Sequence, residues 1–249
     1  MPKILNHILL VSLLVLSTNS IAQQIIKVGV GNFPPFFIEK GNKGIFIEVV
    51  DKIFKQLPEY KVEYLFMSNH RILHEINNGK LIDVACNIFP NSQVKGYLSE
   101  PVFRFRDVAI SIKSEQLKVN NISDLQRKSI AAYQGATELL GGEFKKMAEA
   151  NTEYSEHAHP KETTLLMVSG KKDIRIGDIN IFRYDLNNKY YNKNASVDHT
   201  NFTIHYLWPY VYSHMAFKDQ SLKDAVNKVI KELKLNGSIE KIYSKYEMQ

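Results

Sequence analysis

The chain has 249 residues, is 44% hydrophobic and 23% charged, and carries a net charge of +6 at pH 7. That balance is globular and excludes disordered, collagen-like and coiled-coil chains. The basic residues are scattered as pairs and singles with no arginine-rich arm, so they read as a solvated surface and not as a nucleic-acid interface. A single cysteine, Cys86, excludes an internal disulfide and any CxxC zinc site.

Lys3, the apolar run Ile8–Leu16 and the small residues of Ser20-Ile21-Ala22 have the form of a secretory signal peptide over residues 1–22, cleaved after Ala22. The apolar run is shorter than the ~20 residues of a comfortable membrane span. No cysteine follows the cleavage point to carry a lipid. The expectation is an exported, periplasmic chain that is not membrane-embedded after processing. Cys86 lies in the apolar stretch Ile82–Phe89, where burial protects a lone thiol in an oxidising compartment.

Beyond the signal, Gln24–Gly31 reads as a buried strand. Phe33-Pro34-Pro35-Phe36 cannot be helical, because proline fixes its own φ and holds its predecessor extended. Phe46, Val49, Val50, Ile53, Phe54 and Leu57 recur at helical spacing up to Pro58. Lys61–Phe66 alternates as a strand, Asn69–Asn78 reads as a helix ended by Gly79, and Ile82–Ile88 as another buried strand. This β-α-β-α-β run predicts a largely parallel sheet. Phe105–Lys113 reads as one long strand. Ser123 to Gln126 fits a capping box. Ser129–Tyr133 reads as a strand, with one helix from Ala136 to Ala150 after it. Pro160–Ser169 reads as a helix, Ile174–Ile176 and Tyr210–Phe217 as strands, and Leu222–Leu233 as an amphipathic helix closed by Gly237. Two α/β units joined by extended strands predict two lobes with a ligand cleft between them.

Several blocks in this order carry a resemblance: IKVGVGNFPPF, Gly44–Glu48, Arg71–Asp83, Leu98-Ser99-Glu100-Pro101, Ile122–Leu125 before AAYQGAT, Leu165–Asp178, and Leu222–Tyr246. The chain resembles the extracytoplasmic solute-binding proteins of family 3, which serve bacterial amino-acid uptake. The likeness runs from Ile26 to Tyr246. It implies the type II periplasmic-binding fold: two α/β lobes, each a mainly parallel sheet flanked by helices. Residues 23–105 would form the first part of lobe one, 106–205 lobe two, and 206–249 the return to lobe one.

An amino-acid-like ligand needs an anion for its ammonium and donors for its carboxylate, or burying it is prohibitive. The resemblance implies that Phe33 stacks on the ligand, that Thr137 contacts its carboxylate, and that Asp178 binds its ammonium. Gly135 and Thr137 open a helix after a strand, where free N–H groups favour an anion. Asn87, at a strand end, is expected to point into the cleft. Relatives carry a carboxylate-gripping Arg in the loop before Leu98, whereas Phe89–Gly96 holds none and Ser92 stands at its position. Arg71, which starts the helix before Gly79, or Lys95 is expected to replace it. Because lysine does not reproduce a bidentate guanidinium, weak or no binding of ordinary α-amino acids is expected. His70 and His74 share a helix face, but no third ligand stands at a telling spacing, so no metal is expected. No cofactor motif is present either.

The function that follows is a periplasmic solute-binding protein. As a monomer it closes on a small polar, amino-acid-like or amine-containing ligand and delivers it to an ABC permease. The alternatives are a ligand-sensing partner of a membrane signalling protein, a periplasmic dehydratase-like enzyme with Glu138 as its acid, or an adaptor with a degenerate cleft.

Overall fold

The structure, a computed structural model, describes residues 23–187 and 199–247, so the expected signal peptide lies outside the described residues. Two sheets organise it. The first has the order β2-β1-β3-β11-β4, with β5 also paired to β11. Its strands are β1 (Gln24–Val30), β2 (Tyr60–Phe66), β3 (Val84–Ile88), β4 (Tyr97–Leu98), β5 (Phe103–Phe105) and β11 (Val211–Phe217). The second has the order β10-β6-β9-β7-β8, built from β6 (Asp107–Ile112), β7 (Ile130–Tyr133), β8 (Tyr154–His157), β9 (Ile174–Asp178) and β10 (Phe202–His205). Both sheets are mixed, not mainly parallel. Each has a parallel trio, β2-β1-β3 or β8-β7-β9, extended by antiparallel strands.

Helices cover both faces of each sheet, as a sheet buried on two sides requires. In the first lobe, α1 (Ile45–Phe54) and α7 (Gln220–Leu235) bury Val50, Ile53, Val226 and Ile230 against Val28 and Val30. On the other face α2 (Asn69–Asn77) packs Ile72 and Ile76 against Ile82 and Ala85. Alternation slips within β3: Val84 and Cys86 face the first core, whereas Ala85 and Ile88 face the second. Asn87 (φ 61°) takes the left-handed conformation there, beside a register shift against β11. Cys86 is buried, and burial pushes its thiol pKa up, which keeps it unreactive.

In the second lobe Phe144 and Met147, from α4 (Gly142–Ala150), pack on one face with Ile130, Ile174 and Ile176. Met167 from α5 (Pro160–Val168) and Phe182 and Leu186 from α6 (Ile179–Asn187) pack on the other with Val108 and Ile110. The carboxyl-terminal helix α8 is Ser238–Glu247.

Three local expectations are corrected as well. The strand read from Phe105 to Lys113 breaks at Arg106, where its partner changes from β11 to β9. The Arg106 N–H donates to Asp178 Oδ2 at 2.8 Å and so leaves the ladder. The helix read from Ala136 to Ala150 is two helices, α3 (Ala136–Leu139) and α4, because Gly141 (φ 93°) ends the first. The cap at residue 123 belongs to Asn121. Its side chain accepts from the Asp124 N–H, while the Asp124 carboxylate accepts from the Asn121 N–H.

Candidate functional site

The chain passes between the sheets twice, at Arg106 and through residues 206–210. Between the lobes lies a cavity of about 640 Å³. Lobe one lines it with Phe89, Asn91, Phe105, Val211 and Tyr212, and lobe two with Asp107, Tyr133, Arg175, Asp178 and Ile181. The wall on one side is therefore aromatic and apolar. Phe105 stacks with Phe89 at 6.0 Å between centroids and with Phe33 at 6.5 Å.

The other side is ionic. Asp107 and Asp178 are register partners across the antiparallel β6–β9 pair. Burial pushes the Asp107 carboxyl up to about 7, and the neighbouring Asp178 charge adds to the rise; the Tyr133 hydroxyl, donating to Oδ2 at 3.1 Å, opposes it. Asp178 is buried, which raises its pKa too, against the pull of three backbone N–H donors. Its Oδ1 accepts from Asn180 and Ile181 in the first turn of α6, and its Oδ2 from Arg106. A carboxylate has about four acceptor positions, so one remains for a ligand.

Arg175 is 1% exposed, yet it lines the cavity. Its Nε donates to Thr164 Oγ1 at 3.1 Å, and its guanidinium lies 5.3 Å from the centre of the Phe182 ring. Thr164 in turn donates to Asp185 at 2.9 Å, so a carboxylate stands behind the guanidinium. Gly177 leaves the guanidinium its room: a Cβ there would lie 3.3 Å from Nη2. Neither Arg175 nor Asp107 is among the residues expected from the sequence. A signal for Arg175 was available, since an arginine between two isoleucines of a buried strand is buried only when it has partners.

Of the six residues expected at the site, Asp178 lines the cavity. Phe33 backs the wall through Phe105. Asn87 accepts a hydrogen bond from Ser213 inside the first sheet and does not line the cavity. Arg71 has a side chain 60% exposed, 4.0 Å from Glu75 on the α2 surface, and also stands outside it. Lys95, the other expected stand-in, donates to Asn78 on the surface.

Gly135 and Thr137 already hold an anion, and it belongs to the chain. Glu156 accepts from Gly135 N at 2.7 Å, from Thr137 N and Oγ1 at 2.9 Å each, and from Tyr154 Oη at 2.8 Å. Burial alone would raise the Glu156 pKa, but these donors outweigh it and hold it below the ordinary glutamate value. Register explains the arrangement: β8 runs parallel to β7 and aligns Glu156 with Ala132, just before the turn into α3.

Comparison with known proteins agrees with this two-lobed arrangement. Among curated proteins the chain is 28% identical over 242 residues to the L-cystine-binding protein TcyJ of Bacillus subtilis (strain 168), spanning 92% of this chain and 86% of that one. It is 24% identical to the putative amino-acid ABC transporter-binding protein PatH of Vibrio harveyi, spanning 89% and 88%. Among solved structures, an ancestral cationic amino acid solute-binding protein superposes with a TM-score of 0.70 at 21% identity, over 89% of this chain and 95% of that one. The ligand-binding core of GluR0 with L-glutamate superposes with a TM-score of 0.66 at 16% identity, over 90% and 99%. The model of the bacterial extracellular solute-binding proteins, family 3, matches residues 26–249, and the chain belongs to that family.

Proposed function

We propose that this solute-binding protein captures an amino acid in the inter-lobe cleft, outside the cytoplasm, and hands it to an ABC permease. The observation that carries the reading is the adjacency of the Asp107–Asp178 pair and the buried Arg175 on one wall of a 640 Å³ cavity. An α-amino acid presents an ammonium and a carboxylate side by side. The aspartates suit the first and the guanidinium the second. Phe89, Phe105 and Tyr212 suit its side chain. The two acids outnumber the one buried base, which favours a neutral or cationic amino acid over an acidic one. The names of the relatives, cystine-binding and amino-acid-binding, support the same class.

In this reading residues 23–105 and 206–249 form one lobe and 106–205 the other, and they rotate about the two crossings as the ligand favours the closed form. Asp178 is carried into the site and Phe33 supports it. Arg71, Asn87, Gly135 and Thr137 are not included, given where they stand. The protein is taken to act by binding, as a monomer; Glu138, the acid of the dehydratase-like alternative, is paired with Lys145 on the surface. Export uses the signal peptide at residues 1–22, so exported protein should begin at Gln23.

Calorimetric titration with the amino acids and cystine, each beside its analogue lacking the amine, tests the reading. Neutral or cationic members should bind and the amine-free analogues should not. Equal binding of an amine-free analogue, or binding of glutamate alone, would overturn it.

A further inference from the structure

On the crossing Arg104-Phe105-Arg106-Asp107 the side chains alternate. Asp107 lines the ligand cleft, Arg104 and Arg106 line a second cavity of about 90 Å³, roughly a seventh of the cleft, and Phe105 lines both. Ile179, Asn180 and Arg183 of α6 and Tyr206 and Tyr210 of the return crossing complete it. Three guanidiniums thus converge on one small space. Glu240 pairs with Arg104 in a two-pronged contact of 2.6 and 2.9 Å. Neither Arg106 nor Arg183 pairs with a carboxylate among the described residues.

Arg106 is held in place but not neutralised. Its guanidinium carbon lies 4.0 Å from the Tyr206 ring centre and 4.6 Å from that of Tyr210, and Nη1 donates to Tyr210 Oη at 3.1 Å. Its Nε is buried with no acceptor. On the same cavity Asn180, 7% exposed, carries a buried Oδ1 with no donor. A buried donor and a buried acceptor left unmade are both costly, and each such group calls for a partner.

We propose that this cavity is a small-oxyanion site behind the hinge, for a ligand of the size and chemistry of hydrogen phosphate. Its oxygens accept from Arg106 Nε and from Arg183. The proton it keeps donates to Asn180 Oδ1, which a chloride ion cannot do. The site joins both lobes, with Arg104 on β5 of one and Asn180 and Arg183 on α6 of the other. It shares only Phe105 with the amino-acid cleft and does not depend on the ligand proposed there.

The test is calorimetric titration of the exported chain with sodium phosphate at neutral pH, ionic strength held constant with sodium chloride and no amino acid present. One saturable site is expected, with a higher Tm in phosphate than in chloride. Arg183→Ala, which removes a side chain without an ion-pair partner among the described residues, should weaken phosphate binding at least tenfold and leave the Tm in chloride unchanged. Arg106→Gln should weaken it further while amino-acid binding persists. Absence of a saturable phosphate site in the natural protein, or unchanged affinity in Arg183→Ala, would overturn the proposal.

Discussion

Asp107 and Asp178 stand opposite each other across the β6–β9 pair on the cleft wall, and the charge of the second contributes to holding the first near a pKa of 7. The two acids differ in what they already hold. Asp178 accepts from three backbone N–H groups, whereas Asp107 accepts from the Tyr133 hydroxyl. Asp107 is therefore the acid whose charge state a cationic group can change.

Ligand affinity should follow that titration. An ammonium favours the ionised carboxylate, so binding releases the proton that Asp107 holds below pH 7. Affinity for a neutral or cationic amino acid should rise as pH increases through about 7 and level off above it. Below that value the slope should approach tenfold per pH unit. Calorimetry in two buffers of different ionisation enthalpy at pH 6 should register proton release.

The same shift governs stability, with the opposite consequence for the empty protein. The Asp107 pKa is raised in the folded state from 3.8 to about 7, so the folded protein binds the extra proton and loses stability as pH rises through that window. Asp107→Asn keeps the acceptor for Tyr133 and removes the charge. It should stabilise the empty protein by about 1 kcal/mol or more at pH 8 and leave it nearly unchanged at pH 3.5, as measured by thermal or urea unfolding.

Glu156 runs the other way. Its pKa is lowered on folding, so its contribution is present above the unfolded value and is lost as pH falls through the folded one. Glu156→Ala leaves the N–H groups of Gly135 and Thr137 without their acceptor. It should cost about 1–2 kcal/mol at neutral pH, with the difference from the natural protein shrinking below about pH 4. A constant difference across that range in acid titrations followed by circular dichroism would count against the role given to this carboxylate.

The patterned parts of the fold were readable from the residues because burial imposes period. Val49, Val50 and Ile53 on one helix face, and the apolar run of β3, can be satisfied only against a core. What escaped was decided by contacts distant in sequence. The break at Arg106 depends on Asp178, 72 residues away. The occupant of the Gly135–Thr137 turn comes from β8, a strand of four half-buried residues whose Tyr-Ser-Glu-His sequence has no apolar alternation. Arg71 fits a motif, but its helix places it on the surface. Asp178 was named from the resemblance; it lines the cleft and, after Gly177, also caps the helix that follows.

Arg175 should prove indispensable to the folded lobe as well as to the ligand. It is buried among Asp107, Asp178 and Asp185, and removing one partner of a buried charge cluster typically costs about 3–5 kcal/mol. Arg175→Met should lower stability on that scale. Arg175→Lys should not restore it, since an ammonium cannot make the Nε bond to Thr164 while facing the cavity. Urea unfolding of both variants checks this.

The central claim is that the Asp107–Asp178 pair receives the ligand's ammonium. Calorimetric titration of the natural protein and of Asp107→Asn with the tightest-binding amino acid, at pH 8 where Asp107 is ionised, tests it most directly. Affinity in the variant should fall by ten- to a hundredfold while the fold is retained. An affinity equal to that of the natural protein would contradict the account.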